Sequence, residues 1–342
     1  MATRHAVTIR EVAQRAGVSV ATTSRVLSGA GRTSPSSEQA VRKAAADLGF
    51  RVNAQARALR AQKTNTIGLL ISDVRNPFFG ELAHAIEQSA LHAQYATLLG
   101  NANEDLAQQD RYVQTLRTLR VDGIILAPQD GGSSAVQDLI ADGIPTVFVD
   151  RTVAGIDIPS VSSDPSVGIR QAVAHLSACG GRRIGYIAGP QSTSTGQERL
   201  ACYRDAAARA GFDRSEELIH VGDFQQASGE EGAHRLLTMG VDALFASDSP
   251  MAMGALVACR ERGLRPGVDV DLVGFDDIAL FRYTDPPLTA VSQDIAGLGS
   301  TAFALLEEVI GGGSPASVRL PTALVVRRST RLPAPSGPPA GH

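Results

Sequence analysis

Between Ser19 and Arg25 the chain places a guanidinium among the hydroxyls of Ser19, Thr22 and Ser24, with the small apolar residues Val20 and Ala21 beside them. A guanidinium can offer two N–H groups to the paired acceptors of a guanine edge, and short hydroxyls suit phosphate oxygens. That chemistry reads a polyanion, and the charge distribution points the same way. Residues 1–63 carry eleven lysines and arginines against three acidic residues, a net charge of +8, while the remainder carries −11. A basic head on an acidic body separates a polyanion-binding part from one that does not bind polyanions. These residues include no nucleophile–base pair, metal cluster or phosphate loop. The Gly311-Gly-Gly313 run precedes Ser314-Pro315 and reads as a plain loop.

The elements that must present Arg25 are legible from caps and periodicity. Thr8 caps a helix from Ile9 to Ala16 that keeps Ile9, Val12, Ala13 and Ala16 on one face, and Gly17 ends it. Ser19 caps a second helix to about Leu27. Ser34-Pro35 opens a third that ends at Leu48-Gly49. A small residue at Ala13, a turn glycine at Gly17 and apolar Val12, Val18, Val26 and Leu27 meet the demands of a helix-turn-helix, with Val20, Ala21, Thr22 and Arg25 facing outward. Residues 50–64 lack a core pattern and read as a linker.

From Thr66 the pattern becomes βα alternation, the signature of parallel sheets with crossover helices. Strands are expected at Ile67–Ser72, Ala96–Gly100, Gly123–Ala127, Thr146–Asp150, Ile184–Gly189, Ala243–Ser247 and Asp271–Phe275. Helices are expected at Gly80–Gln94, Leu106–Leu119, Gln197–Ala210, Ser228–Met239 and Pro250–Arg262. The length of 342 residues, with 43% hydrophobic and 20% charged, suits an ordinary globular protein of two or three domains. No stretch approaches the roughly 20 apolar residues that span a bilayer, and Met1–Arg10 lacks the apolar core of a secretion leader. Cys179, Cys202 and Cys259 are odd in number and read as small buried hydrophobes of a reducing compartment. The expectation is a cytoplasmic chain.

The run Thr8-Ile-Arg-Glu-Val-Ala-Gln-Arg-Ala-Gly-Val-Ser-Val-Ala-Thr-Thr-Ser-Arg-Val-Leu27 resembles the head of the LacI/GalR family of bacterial transcription regulators. The resemblance continues through Asn76-Pro-Phe-Phe79, Val121-Asp-Gly-Ile-Ile-Leu126, Arg182-Arg-Ile-Gly-Tyr-Ile-Ala-Gly-Pro190 and Val273-Gly-Phe-Asp-Asp277 to Pro286-Pro-Leu-Thr289. It implies an α/β chain with a small all-α head (1–50), a hinge (51–64) and a two-lobed, periplasmic-binding-protein-like domain (65–332). The lobes would divide at 65–162 with 293–319, and at 163–292 with 320–332, leaving a disordered tail at 333–342. Thr23 departs from the usual valine, and its hydroxyl is expected to bond the Ser19 carbonyl.

The same resemblance implies a sequence-specific regulator, a repressor that binds a near-palindromic operator as a homodimer. Hinge residue Leu59 would wedge into the minor groove with Ala56 beside it and Arg57 and Arg60 on phosphates. The Pro- and Gly-rich segment after Leu332 cannot form a helical tetramerisation bundle. A ligand cleft is implied at Asn76, Phe78, Phe79, Asp150, Arg151, Thr195, Arg199, Phe224, Ser247, Asp276 and Gln293. Aromatic faces and forked charged groups of this kind suit a sugar. Ser247 stands where sugar binders commonly have asparagine, which removes an amide donor and enlarges the pocket. The effector is expected to be a neutral monosaccharide or ribose-containing compound, since two carboxylates offset two arginines, and neither a cofactor nor a metal is expected. A periplasmic sugar receptor would share the cleft but need a leader and no helix-turn-helix. A sugar-acting enzyme would need Asp150 and Asp276 as an acid–base pair, roles the resemblance gives to hydroxyl binding.

Overall fold

Thr8 opens the first helix, α1 (Ile9–Ala16), with a reciprocal cap. Its hydroxyl accepts from the Glu11 N–H, and the Glu11 carboxylate accepts from the Thr8 N–H at 2.6 Å. Gly17 takes a φ of 68°, which favours glycine, and its N–H closes the helix on the Ala13 and Gln14 carbonyls. The Ser19 hydroxyl accepts from the Thr22 N–H at 3.1 Å and starts α2 (Val20–Ser28). Ser34 does the same for α3 (Pro35–Asp47), accepting from Ser37. The three helices enclose Val12, Ala13, Val26, Val41, Ala44 and Ala45. Thr23 is also fully buried, and its hydroxyl donates to the Ser19 carbonyl at 3.1 Å, so the expected bond forms and offsets the cost of burying it.

The computed structural model describes residues 7–28, 32–50, 63–129, 132–213 and 215–332. Ala56, Arg57, Leu59 and Arg60, together with the expected tail at 333–342, lie outside the described residues. The chain divides into two units, Met1–Thr64 and Asn65–His342.

The second unit runs β1 (Thr66–Ile71), α4 (Pro77–His92), β2 (Ala96–Asn101), α5 (Leu106–Leu119), β3 (Gly123–Leu126), α6 (Ser134–Ala141), β4 (Thr146–Val149) and β5 (Ser160–Asp164). It continues with α7 (Ser166–Ala178), β6 (Ile184–Ala188), α8 (Ser194–Ala210), β7 (Ile219–Val221), α9 (Gln226–Thr238), β8 (Ala243–Ala246), α10 (Ser249–Glu261) and β9 (Asp271–Phe275). Last come β10 (Thr289–Ser292), α11 (Ile295–Ile310), β11 (Val318–Pro321) and β12 (Ala323–Val325). These strands form two six-stranded sheets, ordered β11-β5-β4-β3-β1-β2 and β12-β10-β9-β8-β6-β7. Every pairing is parallel except that of β12 with β10, an exception the sequence pattern did not foresee. Central strands such as β3, β4, β8 and β9 are buried along their length, as parallel strands covered on both faces must be.

Each sheet has a core on both faces. Ile67, Leu69, Phe79, Val147 and Leu306 pack one face of the first sheet under α4 and α11, and Leu70, Ile124, Leu116 and Leu139 pack the other. In the second sheet, Tyr186 stacks on Tyr203 with ring centroids 4.0 Å apart beneath α7 and α8. On its opposite face α9 and α10 cross almost backbone to backbone. A Cβ on Gly254 would lie 2.1 Å from the Gln226 carbonyl oxygen, and one on Gly229 would lie 2.4 Å from the Met251 Cα.

The chain passes between the sheets three times, after β5, after β10 and between β11 and β12. β5 reaches Asp164 and β11 reaches Pro321, each two residues beyond the expected boundary, because the ladder between β11 and β5 continues that far. Cys259 is buried as expected, but Cys179 and Cys202 are only half-buried, and the Cys179 thiol donates to the Arg331 carbonyl at 2.8 Å. Among the described residues no helix is long and apolar enough to cross a membrane.

Candidate functional site

In the head, α1, the turn Gly17-Val18-Ser19 and α2 form a helix-turn-helix with a solvent-facing second helix. Val20, Ala21 and Arg25 are exposed, while Thr22 and Ser24 are half-buried. The Arg25 Nε reaches the Ala21 carbonyl at 3.4 Å, which lays its stem along the helix. The Ser19 and Thr22 hydroxyls lie 2.9 Å apart, so the cap also engages two groups expected to meet phosphate.

In the second unit, the open end of each sheet collects the other candidate residues at strand C-termini, where doubly wound sheets place ligands. Asn76 caps α4 and accepts from the Phe78 N–H at 3.0 Å, so this helix starts three residues earlier than its periodicity suggests. Phe78 and Phe79 sit edge to face in its first turn, 5.0 Å between centroids. Thr193 likewise caps α8 and brings Thr195 and Arg199 into the opening turns, again earlier than expected. Phe224 follows β7, and its ring occupies the space a side chain at Gly189 would need, 2.2 Å from that Cβ position. Asp150, Phe224 and Asp276 all take positive φ (65°, 64° and 81°). Three non-glycine residues in that region cost of order 1–3 kcal/mol each, and the surrounding packing holds them there.

The charged groups interlock. Arg199 lies against both Asp276 (3.8 Å) and Asp150 (4.0 Å), donates to the Ser247 carbonyl at 2.6 Å and covers the Phe275 ring at 4.0 Å. Gln293 donates to Asp276 at 2.7 Å. Arg151 spans the rings of Phe79 and Phe224. It also makes a bidentate pair with Glu104, both bonds at 2.7 Å, and donates to Gln129 at 3.2 Å. Burial pushes the Asp150 carboxyl up to about 6, against the pull of Arg199 and Arg151 and with help from Asp276 and Glu104. Burial and Asp276 likewise raise Asp248 well above the ordinary range. Its Oδ1 caps α10 through the Met251 N–H, and its buried Oδ2 has no partner.

The structure therefore brings Asn76, Phe78, Phe79, Asp150, Arg151, Thr195, Arg199, Phe224 and Asp276 around one pocket. Gln293 borders an adjoining one. Ser247 contributes its backbone. Its side chain is fully buried and is not among the groups that line the pocket. The expected balance of two carboxylates against two arginines is corrected too. Asp248 lines the same pocket and Glu104 holds Arg151, so four carboxylates face two guanidinium groups. Sequence reading missed both. Asp248 has a local signal, the cap-like Asp-Ser-Pro that opens α10, whereas nothing near Glu104 marks its pairing with a residue 47 positions away.

Polar contacts join the two sheets across this site. Ser249 bonds the Asn76 amide oxygen at 3.2 Å, Arg75 donates to Gln225 at 3.3 Å, and the Thr152 N–H donates to Ser194 at 2.9 Å. The pocket is contracted to about 10 Å³, room for about one water. Beside it lies a cavity of about 480 Å³. Elsewhere, Glu230, His234 and Glu261 gather within 4.8 Å, but the two His234 ring nitrogens already meet Arg262 and Glu261 at 3.0 Å each.

A helix-turn-helix in the same chain as a pair of doubly wound sheets meeting at their strand C-termini defines a class, the ligand-responsive DNA-binding regulators. Residues 8–53 match the model of the bacterial regulatory proteins of the lacI family, and residues 173–330 match that of a periplasmic binding protein-like domain. The ribose operon repressor of Halalkalibacterium halodurans is 35% identical over 328 residues, covering 95% of this chain and 97% of that protein. The lac repressor dimer bound to operator and the anti-inducer ONPF matches with a TM-score of 0.84 at 28% identity, covering 96% and 100% of the two chains. The transcriptional regulator CelR in complex with cellobiose matches with a TM-score of 0.72 at 32% identity, covering 94% and 99%. The chain belongs to the lacI family of bacterial regulatory proteins and is a DNA-binding transcription regulator.

Proposed function

We propose that the chain is a repressor that binds a near-palindromic operator as a homodimer and takes a neutral sugar into the pocket around Arg199. The observation that carries the ligand assignment is the pairing of three aromatic rings, Phe78, Phe79 and Phe224, with Arg199 held between Asp150 and Asp276. Rings accept the C–H face of a sugar, and forked charged groups accept its adjacent hydroxyls. The surplus of carboxylates disfavours an anion. The CelR complex with cellobiose supports the same class. The strained residues at the strand ends fit binding.

A sugar cannot enter a 10 Å³ pocket, so binding requires the contacts between the sheets to open and re-form around it. That rearrangement couples ligand to operator only through the difference in sugar affinity between the two arrangements. Operator binding rests on Arg25 and the exposed face of α2, with the hinge residues Arg57, Leu59 and Arg60 in support. Dimerisation is supported by apolar residues on the free sheet edges, Leu98 and Leu99 on β2 and Val221 on β7, with Tyr283 nearby in sequence to β10. Thermal melts against pentoses, hexoses and nucleosides test the ligand class, since a bound ligand raises Tm by mass action. The absence of any shift across the sugars at millimolar concentration would overturn it.

A further inference from the structure

We propose that the Thr322 hydroxyl, helped by Arg319, is a hinge-side lock that fixes the angle between the two sheets. It sets how readily the inner pocket around Arg199 opens, from a place outside that pocket. The proposal rests on the reading that the pocket must open for its ligand, and adds where the opening is restrained.

Two of the three crossings between the sheets run side by side here. One leaves β5 at Asp164 and enters α7, which packs on the second sheet. The other leaves β11 at Pro321 and enters β12 through Thr322. Thr322 is 3% exposed, and its hydroxyl donates to the Asp164 carbonyl at 2.8 Å and accepts from the Gly168 N–H at 3.1 Å. Asp164 ends a strand of the first sheet, whereas Gly168 lies in the first turn of a helix on the second. One buried hydroxyl therefore grips both sides at once, and both bonds keep good geometry over a narrow range of angles. Turning one sheet against the other stretches at least one of them and strips a buried backbone group of its partner. The lock shifts the equilibrium because its bonds belong to the contracted arrangement and weaken in the open one.

Gly168 makes this close approach possible. A Cβ there would lie 2.6 Å from the Thr322 Oγ1 and 2.4 Å from a methyl carbon of Val291, in the strand that leads to the remaining crossing. All three crossings thus converge on one point of α7. Beside it Arg319, in β11, donates to the Ser163 carbonyl at 2.9 Å and to the Glu198 carboxylate in α8, so this exposed ion pair also spans the sheets. Neither Thr322 nor Arg319 lines the inner pocket or the one that Gln293 borders. Hinges consist of a few element-terminal residues that absorb a change of backbone angle, and Asp164 and Thr322 stand at such ends.

Pulsed electron spin resonance on the full chain tests this. Spin labels go on Ala107→Cys and Ser192→Cys, two exposed positions, one in α5 and one before α8, in a chain carrying Cys179→Ser and Cys202→Ser. One labelled chain per dimer gives the separation across the pocket mouth. Thr322→Val keeps the shape but removes both hydrogen bonds, and should raise the ratio of open to contracted molecules about tenfold. Thr322→Ser keeps the hydroxyl and should match the wild type, whereas a role in packing alone would rank the two variants the other way. Arg319→Gln, at an exposed position, should move the ratio about twofold in the same direction and gives a reading should Thr322→Val misfold. Whichever of ribose, glucose and galactose raises the Tm of the wild type should leave Thr322→Val about tenfold faster in stopped-flow displacement. Label separations unchanged in the folded variants, or Thr322→Ser opening as far as Thr322→Val, would overturn the lock. If the labels move as expected and none of the three sugars binds, the lock stands and the sugar reading falls.

Discussion

Asp150 concentrates the chemistry of the pocket in one residue. Its ordinary value of 3.8 moves to about 6 in the fold, so between those values the folded chain holds a proton that the unfolded chain has lost. The stability this lends is fully present below pH 3.8 and is lost as pH rises through 6. Above pH 7 the buried charge costs about 3 kcal/mol. Asp150→Asn should therefore raise Tm at pH 7.5 and leave it near wild type at pH 4; scanning calorimetry showing equal gains at both would remove ionisation as the cause. Arg199→Ala strips the cation from two buried aspartates and should weaken sugar binding by about 2–5 kcal/mol. Operator affinity measured without sugar should stay near wild type, and undiminished sugar binding would place the pocket elsewhere. Arg25→Ala should cost about 1–3 kcal/mol of operator affinity and relax base preference; a variant with unaltered preference in a binding-site selection would remove Arg25 from base contact. Most of the residues around this pocket were named from the family resemblance, and their places at strand ends agree with the βα pattern. Glu104 and the role of Ser247 were not, because both depend on partners far away in the chain.

At the scale of elements, capping chemistry decided what periodicity could not. α1, α5 and β9 match their sequence readings residue for residue, since Thr8, Asp105 and the buried run of β9 leave little choice. α4 and α8 start three residues early because Asn76 and Thr193 cap them, and those three residues carry Phe78, Phe79 and Thr195 into the site. β7 and β12 span three residues each, too short for an alternation to show in sequence. The α9–α10 crossing is invisible in sequence for another reason: its content is the absence of side chains at Gly229 and Gly254. Gly254→Ala must push α10 off α9 or displace the Gln226 carbonyl, at an expected cost of about 2–4 kcal/mol. Urea unfolding measures it, and a loss under 1 kcal/mol would mean that the crossing yields easily.

The molecule as a whole separates +8 in residues 1–63 from −11 in the rest. Operator affinity should fall steeply with salt, as phosphate contacts demand, while sugar affinity should hardly change between 50 and 300 mM salt because the inner pocket is buried. Light scattering at micromolar concentration should give a dimer; a stable tetramer or a monomer would contradict the proposed assembly. The fold class was legible because βα alternation persists over most of the chain; the alternation alone does not say which sheet a strand joins, and the division into lobes came from the family resemblance. The three crossings carry a further consequence, for how the protein is made. A ribosome delivers β1 to β5 by residue 164, yet α11 and β11, which cover one face and close one edge of that sheet, come from residues 295–321. During roughly 130 intervening residues, on the order of ten seconds of synthesis, Ile67, Leu69 and Val147 lack their final cover, which leaves apolar surface open on the nascent chain. The head, with its own small core, is complete by residue 50. A chain still on the ribosome thus acquires its DNA-reading surface well before the sheets that answer to a ligand.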